Sequence, residues 1–141
     1  MKKPVVQFLA AAAGSVAGGF FYACLWPHID RFFYEAFGII LQCDGCLTPS
    51  LSLLYVFAPC TAAFFVFVAT RLFSAHCGCA CLLGALASSI CIGGTISLLA
   101  VQMASGMTAA VLVAGSVALA ATAGCNYAGR THMLEPFPPK E

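Results

Sequence analysis

The sequence predicts an all-α membrane protein: four transmembrane helices, with an interfacial amphipathic helix between the first and the second. Three observations carry this expectation. Of 141 residues, 62% are hydrophobic and only 8% charged, whereas a soluble domain carries about 25% charged residues. So few charges could not cover a water-facing surface. The apolar runs are long enough for a hydrocarbon core, which takes about 20 residues to cross. Lysine and arginine also gather on one side of those runs. At this length the chain, residues 1–141, forms one integral membrane domain. A net charge of +1 gives no electrostatic footprint for nucleic acid.

The first span is expected at residues 5–26, with Trp26 where an interfacial aromatic belongs. Lys2 and Lys3 before a small, apolar stretch imitate a secretory signal. The run continues past Phe21 and Leu25 for long enough to span, so it reads as a retained first helix. Residues 28–41 read as the interfacial helix, with Pro27 suited to a first turn. Ile29, Phe32, Phe33, Phe37 and Ile40 fall on one side of it, and Asp30, Arg31, Tyr34 and Glu35 mostly on the other. A helix packed across a partner subunit would show the same pattern. Asp44 and Gly45 make a turn dipeptide.

The second span is expected at residues 51–70. Phe57, Phe64, Phe65 and Phe67 make it bulky, and Pro59 should kink it, so it is expected to face lipid or a larger partner. From Leu72 to Gly129 there is no Asp, Glu, Lys or Arg, which leaves room for two spans and a turn. Ser105 and Gly106 are the best breaker pair, giving spans at residues 78–102 and 107–125. Residues 129–141 read as a short, Pro-rich tail, disordered when free.

Four spans put Lys2, Lys3, Arg71, Arg130 and Lys140 on one side and only Arg31 on the other. That split satisfies the positive-inside rule with both termini on the matrix or cytoplasmic side. Lipid is as apolar as leucine, so such helices associate through close packing of small residues. The first span offers Ala10, Gly14 and Gly18; the third Ala85, Ser89, Gly93 and Ser97; the fourth Ala110, Ala114, Ala118 and Thr122.

No span carries Asp, Glu, Lys, Arg or His away from its ends. Proton relays and charged-substrate pathways in membranes depend on such groups, so an autonomous pump is disfavoured. A pathway lined by Ser88, Ser89, Thr95 or Ser97 is the residual option. His28 and His76 stand at opposite ends of spans, about 30 Å apart, which excludes a bis-histidine haem within the chain. No cofactor is expected.

The chain has nine cysteines, and the topology sorts them. Cys43 and Cys46 form a CxxC in the outer loop, suited to a disulfide or to thiol exchange. Four spans with a CxxC near one face resemble the membrane thiol oxidoreductases that pass electrons to quinone. Their second redox pair has no counterpart here beyond Cys24. Cys77, Cys79, Cys81 and Cys125 gather near the inner face beside His76, ligand types that suit zinc or a soft metal. Cys77 and Cys81 share a helical face and Cys79 points away, so the alternative metal set is Cys77, Cys81, Cys125 and His76. The chain is similar in size to mercury-type transporters, which carry paired cysteines in their first span, where this sequence has only Cys24. Cysteine is also a small apolar core residue, and that structural reading is preferred.

The functional expectation is a non-catalytic structural or accessory subunit of a multi-subunit membrane complex. An organellar respiratory-chain or ATP synthase assembly in the mitochondrial inner membrane is the first host to consider. Its partners would be other membrane subunits and lipids. A thiol-disulfide oxidoreductase using Cys43 and Cys46 is the alternative, and soft-metal transport or binding the third reading.

Overall fold

The computed structural model describes residues 2–41, 48–73 and 78–134. Among these residues the secondary structure is entirely helical. Four helices are long and apolar enough to cross a membrane: Lys3–Phe37, Leu53–Phe73, Cys79–Met103 and Gly106–Thr131. We label the full helices α1 (Lys3–Phe37), α2 (Leu53–Phe73), α3 (Cys79–Met103) and α4 (Gly106–Leu134). A helical turn at Thr48–Ser52 leads directly into α2.

α1 differs from expectation. Pro27 lies inside it, so residues 28–37 continue the first helix instead of forming a separate one. Proline cannot donate to the carbonyl four residues back. In a bilayer, leaving the helix would unsatisfy far more backbone groups than staying in it. α1 ends at Gly38, whose φ of 67° is open to glycine at little cost. The Gly38 amide donates to the Tyr34 carbonyl at 2.9 Å, and the chain then doubles back until the Leu41 amide donates to Asp30 Oδ1 at 3.0 Å.

α2 opens on a π-helical turn, Leu53–Phe57, where the Ala58 amide donates to the Leu53 carbonyl. The wider turn precedes Pro59, whose ring would otherwise press on the Tyr55 carbonyl. α2 is the most buried of the four, although its phenylalanines give it an exposed side. Its most apolar window is 44% buried, against 22–33% for the other three. Phe64 and Phe65 point outward, while Ala58, Ala62, Ala63, Val66 and Ala69 form a small-residue face turned inward.

α3 contains a second π-helical turn, Ser89–Gly94. The Tyr55 ring of α2 lies on Gly94 there, at 2.7 Å from where a β-carbon would stand, so this close approach needs glycine. α3 ends at Met103, and Gly106, with φ of 61°, opens α4 after the expected turn. α4 runs through Arg130 to Leu134, nine residues past the predicted end at 125 and into the segment read as tail. A basic side chain marks where a helix leaves the apolar core, not where its backbone bonds stop.

The helices form a bundle in which α1 packs on α2 and α4, α3 packs on α2 and α4, and α2 touches α4 across the middle. Its core is Ala11, Ala62, Ala63, Val66, Cys81, Ala85, Val117, Ala118, Ala121 and Cys125. Small side chains dominate because attraction between membrane helices depends on backbone proximity. Hypothetical β-carbons on Gly14 and Gly18 would collide with the Thr61 and Phe57 carbonyl oxygens of α2. Gly84 and Gly124 bring α3 and α4 into direct backbone contact in the same way.

Interhelical contacts fix the register. Gln7 bonds to Thr70, and Gly18 meets Phe57 and Ala58, so α1 and α2 run antiparallel with Thr48 level with His28. Tyr55 meets Thr95, which puts Met103 near the same level. Residues 29–37 of α1 therefore rise beyond the other helices by about 13 Å, at 1.5 Å per residue.

Candidate functional site

The polar groups of the bundle converge at the end that holds the start of α1 and the later turns of α4. Gln7, fully buried, donates from Nε2 to Thr70 Oγ1 at 2.8 Å. Its Oε1 accepts from Asn126 Nδ2 at 3.1 Å, and the same Asn126 nitrogen donates to the Thr122 carbonyl at 2.9 Å. Thr70 Oγ1 gives its proton to the Val66 carbonyl at 2.7 Å. A hydroxyl has one proton and two acceptor sites, so at the 3.5 Å contact between Thr70 Oγ1 and Cys125 Sγ the thiol is the donor. Three helices are joined by groups far apart in sequence.

This cluster is built from amides, a hydroxyl and a thiol. Among the described residues the buried polar ones are Gln7, Ser15, Thr70, Ser89 and Ser97, all uncharged. Such groups satisfy one another and orient helices. Amides and aliphatic hydroxyls do not themselves supply general acid–base chemistry. Further along the bundle Ser89 Oγ donates to the Leu86 carbonyl at 3.1 Å and lies 3.4 Å from that of Pro59. Ser97 Oγ and Ser116 Oγ pair at 3.0 Å. These serines close contacts between helices. Trp26 Nε1 and Thr122 Oγ1 are buried and have no hydrogen-bond partner among the described residues.

The packing residues read from the sequence distribute as follows. Gly14 and Gly18 face α2; Ala85, Ser89, Gly93 and Ser97 are all buried on α3. On α4, Ala118 is buried, Ala114 half-buried and Ala110 exposed. The inward face of α4 runs instead through Val117, Ala121, Gly124 and Cys125.

Among the candidate chemical residues, Cys43, Cys46, His76 and Cys77 lie outside the described residues. Cys81 and Cys125 are buried in the same apolar cluster, and Cys79 is exposed, as alternate sides of a helix require. Cys24, Cys60 and Cys91 are also exposed. Among the described residues no three His, Cys, Asp or Glu side chains come together as a metal site.

Sequence reasoning missed the Gln7, Thr70 and Asn126 cluster. Its signal was a glutamine inside an otherwise apolar first span, a group that lipid cannot satisfy and a neighbouring helix must. No protein-family model matches this chain, and no curated protein or solved structure matches it either.

Proposed function

We propose that this chain is a non-catalytic accessory subunit of a multi-subunit membrane complex, held in the bilayer by its four apolar helices. The observation that carries the reading is the projecting end of α1. Over residues 29–37, Ile29, Phe32, Phe33, Ala36 and Phe37 form one arc, while Asp30, Arg31, Tyr34 and Glu35 form the opposite one. Phe32, Phe37 and Ile40 are 61%, 66% and 61% exposed. An apolar patch of this kind on a segment that outruns its own bundle marks an interaction surface. The continuity of α1 through Pro27 favours a neighbouring subunit over the membrane surface, because a straight continuation leaves the membrane plane. The neutral bundle interior supports the same reading.

Within this proposal the host is an organellar energy-converting assembly, a respiratory-chain complex or ATP synthase in the mitochondrial inner membrane. Both termini lie on the matrix side, where Lys2, Lys3, Arg71 and Arg130 gather. Extraction of the tagged chain from its native membrane in mild detergent tests the reading. The chain should migrate with partner proteins, and Phe32→Asn with Phe37→Asn should release it while its helical circular dichroism is unchanged. A wild-type chain that leaves its native membrane as a monodisperse monomer would sink the proposal.

A further inference from the structure

We infer that α2 and α3 share a hinge at the level of their π-helical turns, about which the Thr48 end of α2 swings away from α3. The two turns, Leu53–Phe57 and Ser89–Gly94, lie side by side. The Tyr55 ring rests on Gly94, and Ser89 Oγ lies 3.4 Å from the Pro59 carbonyl oxygen. Both turns interrupt the backbone ladder. In α2, Pro59 has no amide for the Tyr55 carbonyl, and the Ala58 amide reaches back five residues to Leu53. In α3, the Thr95 amide donates to the Ile92 carbonyl. The Thr95 hydroxyl donates to the Cys91 carbonyl at 2.6 Å, the acceptor that an α-helical amide would use. Gly93 and Gly94, adjacent within this turn, add backbone freedom. Helices bend at prolines and at π-turns. At the same level α1 and α4 are continuous α-helices.

Burial divides at this level too. Among the described residues, Leu54 is the one buried side chain over residues 48–57, and Ser97 the one over 95–103. Past the hinge α2 buries Ala58, Ala62, Ala63, Val66 and Ala69, and α3 lies backbone to backbone on α4 at Gly84. Segments with few buried contacts open at the least cost. A short turn at Ala104 and Ser105 ties the far end of α3 to α4, so the segment that swings is the start of α2. Phe57, against Gly18 and Tyr22 of α1, stands at the pivot. Tyr55 is the latch. Its hydroxyl donates to Thr95 Oγ1 across a long 3.4 Å, so the ring on Gly94 makes the closer contact. Swinging lifts that ring from Gly94 and opens the seam between α2 and α3. The inference holds whether or not the chain belongs to a larger complex.

Electron–electron distance measurement on the full chain in lipid nanodiscs tests it. Nitroxides are attached through an unnatural ketone amino acid, which leaves the nine cysteines untouched. One pair, at Leu51 and Val111, reports the swinging end; a second, at Leu72 and Leu119, reports the other side of the hinge. All four positions are exposed. Residues 51–57 make a lever of about 9 Å, and a sharp helix bend exceeds about 20°, so Leu51 should travel by at least about 3 Å. Gly94→Leu wedges the Tyr55 ring off α3 and should displace the first distance by that amount while leaving the second unchanged. Tyr55→Ala releases the latch without adding bulk, which keeps the test alive if the wedge prevents folding. It should broaden the first distribution alone. Adding Pro59→Ala returns an amide to the carbonyl of residue 55 and should narrow that distribution again, a reversal that loss of packing alone would not produce. A first distance unchanged in Tyr55→Ala, a shift shared by both pairs, or broadening that survives Pro59→Ala would overturn the hinge.

Discussion

The two ends of this bundle are held by different physics. At the end near the chain termini, α3 and α4 touch backbone to backbone at Gly84 and Gly124, and Gln7, Thr70 and Asn126 bridge three helices. At the other end the contacts are made by side chains: Tyr22 stacks on Trp26 and meets Phe57 edge-on, and the Tyr55 hydroxyl reaches Thr95 Oγ1 only at 3.4 Å. α1 then continues past the ends of the other described helices. The first end has groups that are satisfied only in one arrangement. The second has adaptable aromatic surface, suited to a contact completed by something else. Rigidity is concentrated where the helices must find one another, and free surface where the molecule must find a partner.

The largest effect should come from breaking the backbone contact. Gly124→Leu places a β-carbon into the Gly84 carbonyl oxygen, and neither backbone can yield without parting α3 from α4. Overpacking typically costs about 1–3 kcal/mol, and occasionally more. Backbone against backbone belongs at or above the top of that range. Thermal unfolding in detergent should show the loss, together with a broadened elution profile. By contrast, a leucine at Gly115, where a β-carbon would meet nothing within 4 Å, should be silent. If the two substitutions were equally harmful, the proposed tight seam would not exist.

Next in size is the polar bridge. Thr70→Val removes the acceptor for the Gln7 amide and for the Cys125 thiol, leaving a fully buried amide N–H without its partner. An unsatisfied buried donor costs about 1–3 kcal/mol. Gln7→Leu removes the amide itself and should cost less, because interhelical hydrogen bonds in membranes average about 0.6 kcal/mol each. Chemical or thermal denaturation in detergent should rank Thr70→Val below Gln7→Leu in stability. The reverse order would mean that the Gln7 amide has another acceptor.

Much of this arrangement is written in local sequence, and the exceptions are instructive. The four apolar segments follow from run length, and the turn before Gly106 follows from the best-placed breaker pair in a long apolar stretch. The inward face of α2 is hidden in the sequence because its phenylalanines dominate the bulk of the helix as a whole. Phe64 and Phe65 share its length with Ala62, Ala63 and Val66 but not its direction. Pro27 was ambiguous because a proline opening a helix and one tolerated within it look the same in sequence. The end of α4 at Leu134 is not legible in the sequence because a change in polarity does not mark a change in backbone. The bridge itself links residues 119 positions apart, so no window of local pattern contains it. Of the site chemistry, the absence of interior charge was legible, but the neutral groups that take its place become informative only once the register is known.

The smallest effect sharpens the contrast between the two ends. Ser97 is fully buried and pairs with Ser116 at 3.0 Å, which superficially equals the Gln7 bridge. Ser116, however, lies within hydrogen-bond distance of the Val113 carbonyl at 3.0 Å, so its proton is already placed on its own helix. Ser97 is then the donor between helices, and Ser97→Ala deletes that donor without stranding another. The methyl group fits the same space, and Ser116 keeps its bond to Val113. The loss should be no more than about 0.6 kcal/mol, the average for one interhelical bond in a membrane. The same instrument that resolves Thr70→Val should see Ser97→Ala as a minor shift. A cost comparable to Thr70→Val would place a second polar lock at this end, and the division between a fixed end and an adaptable one would have to be given up.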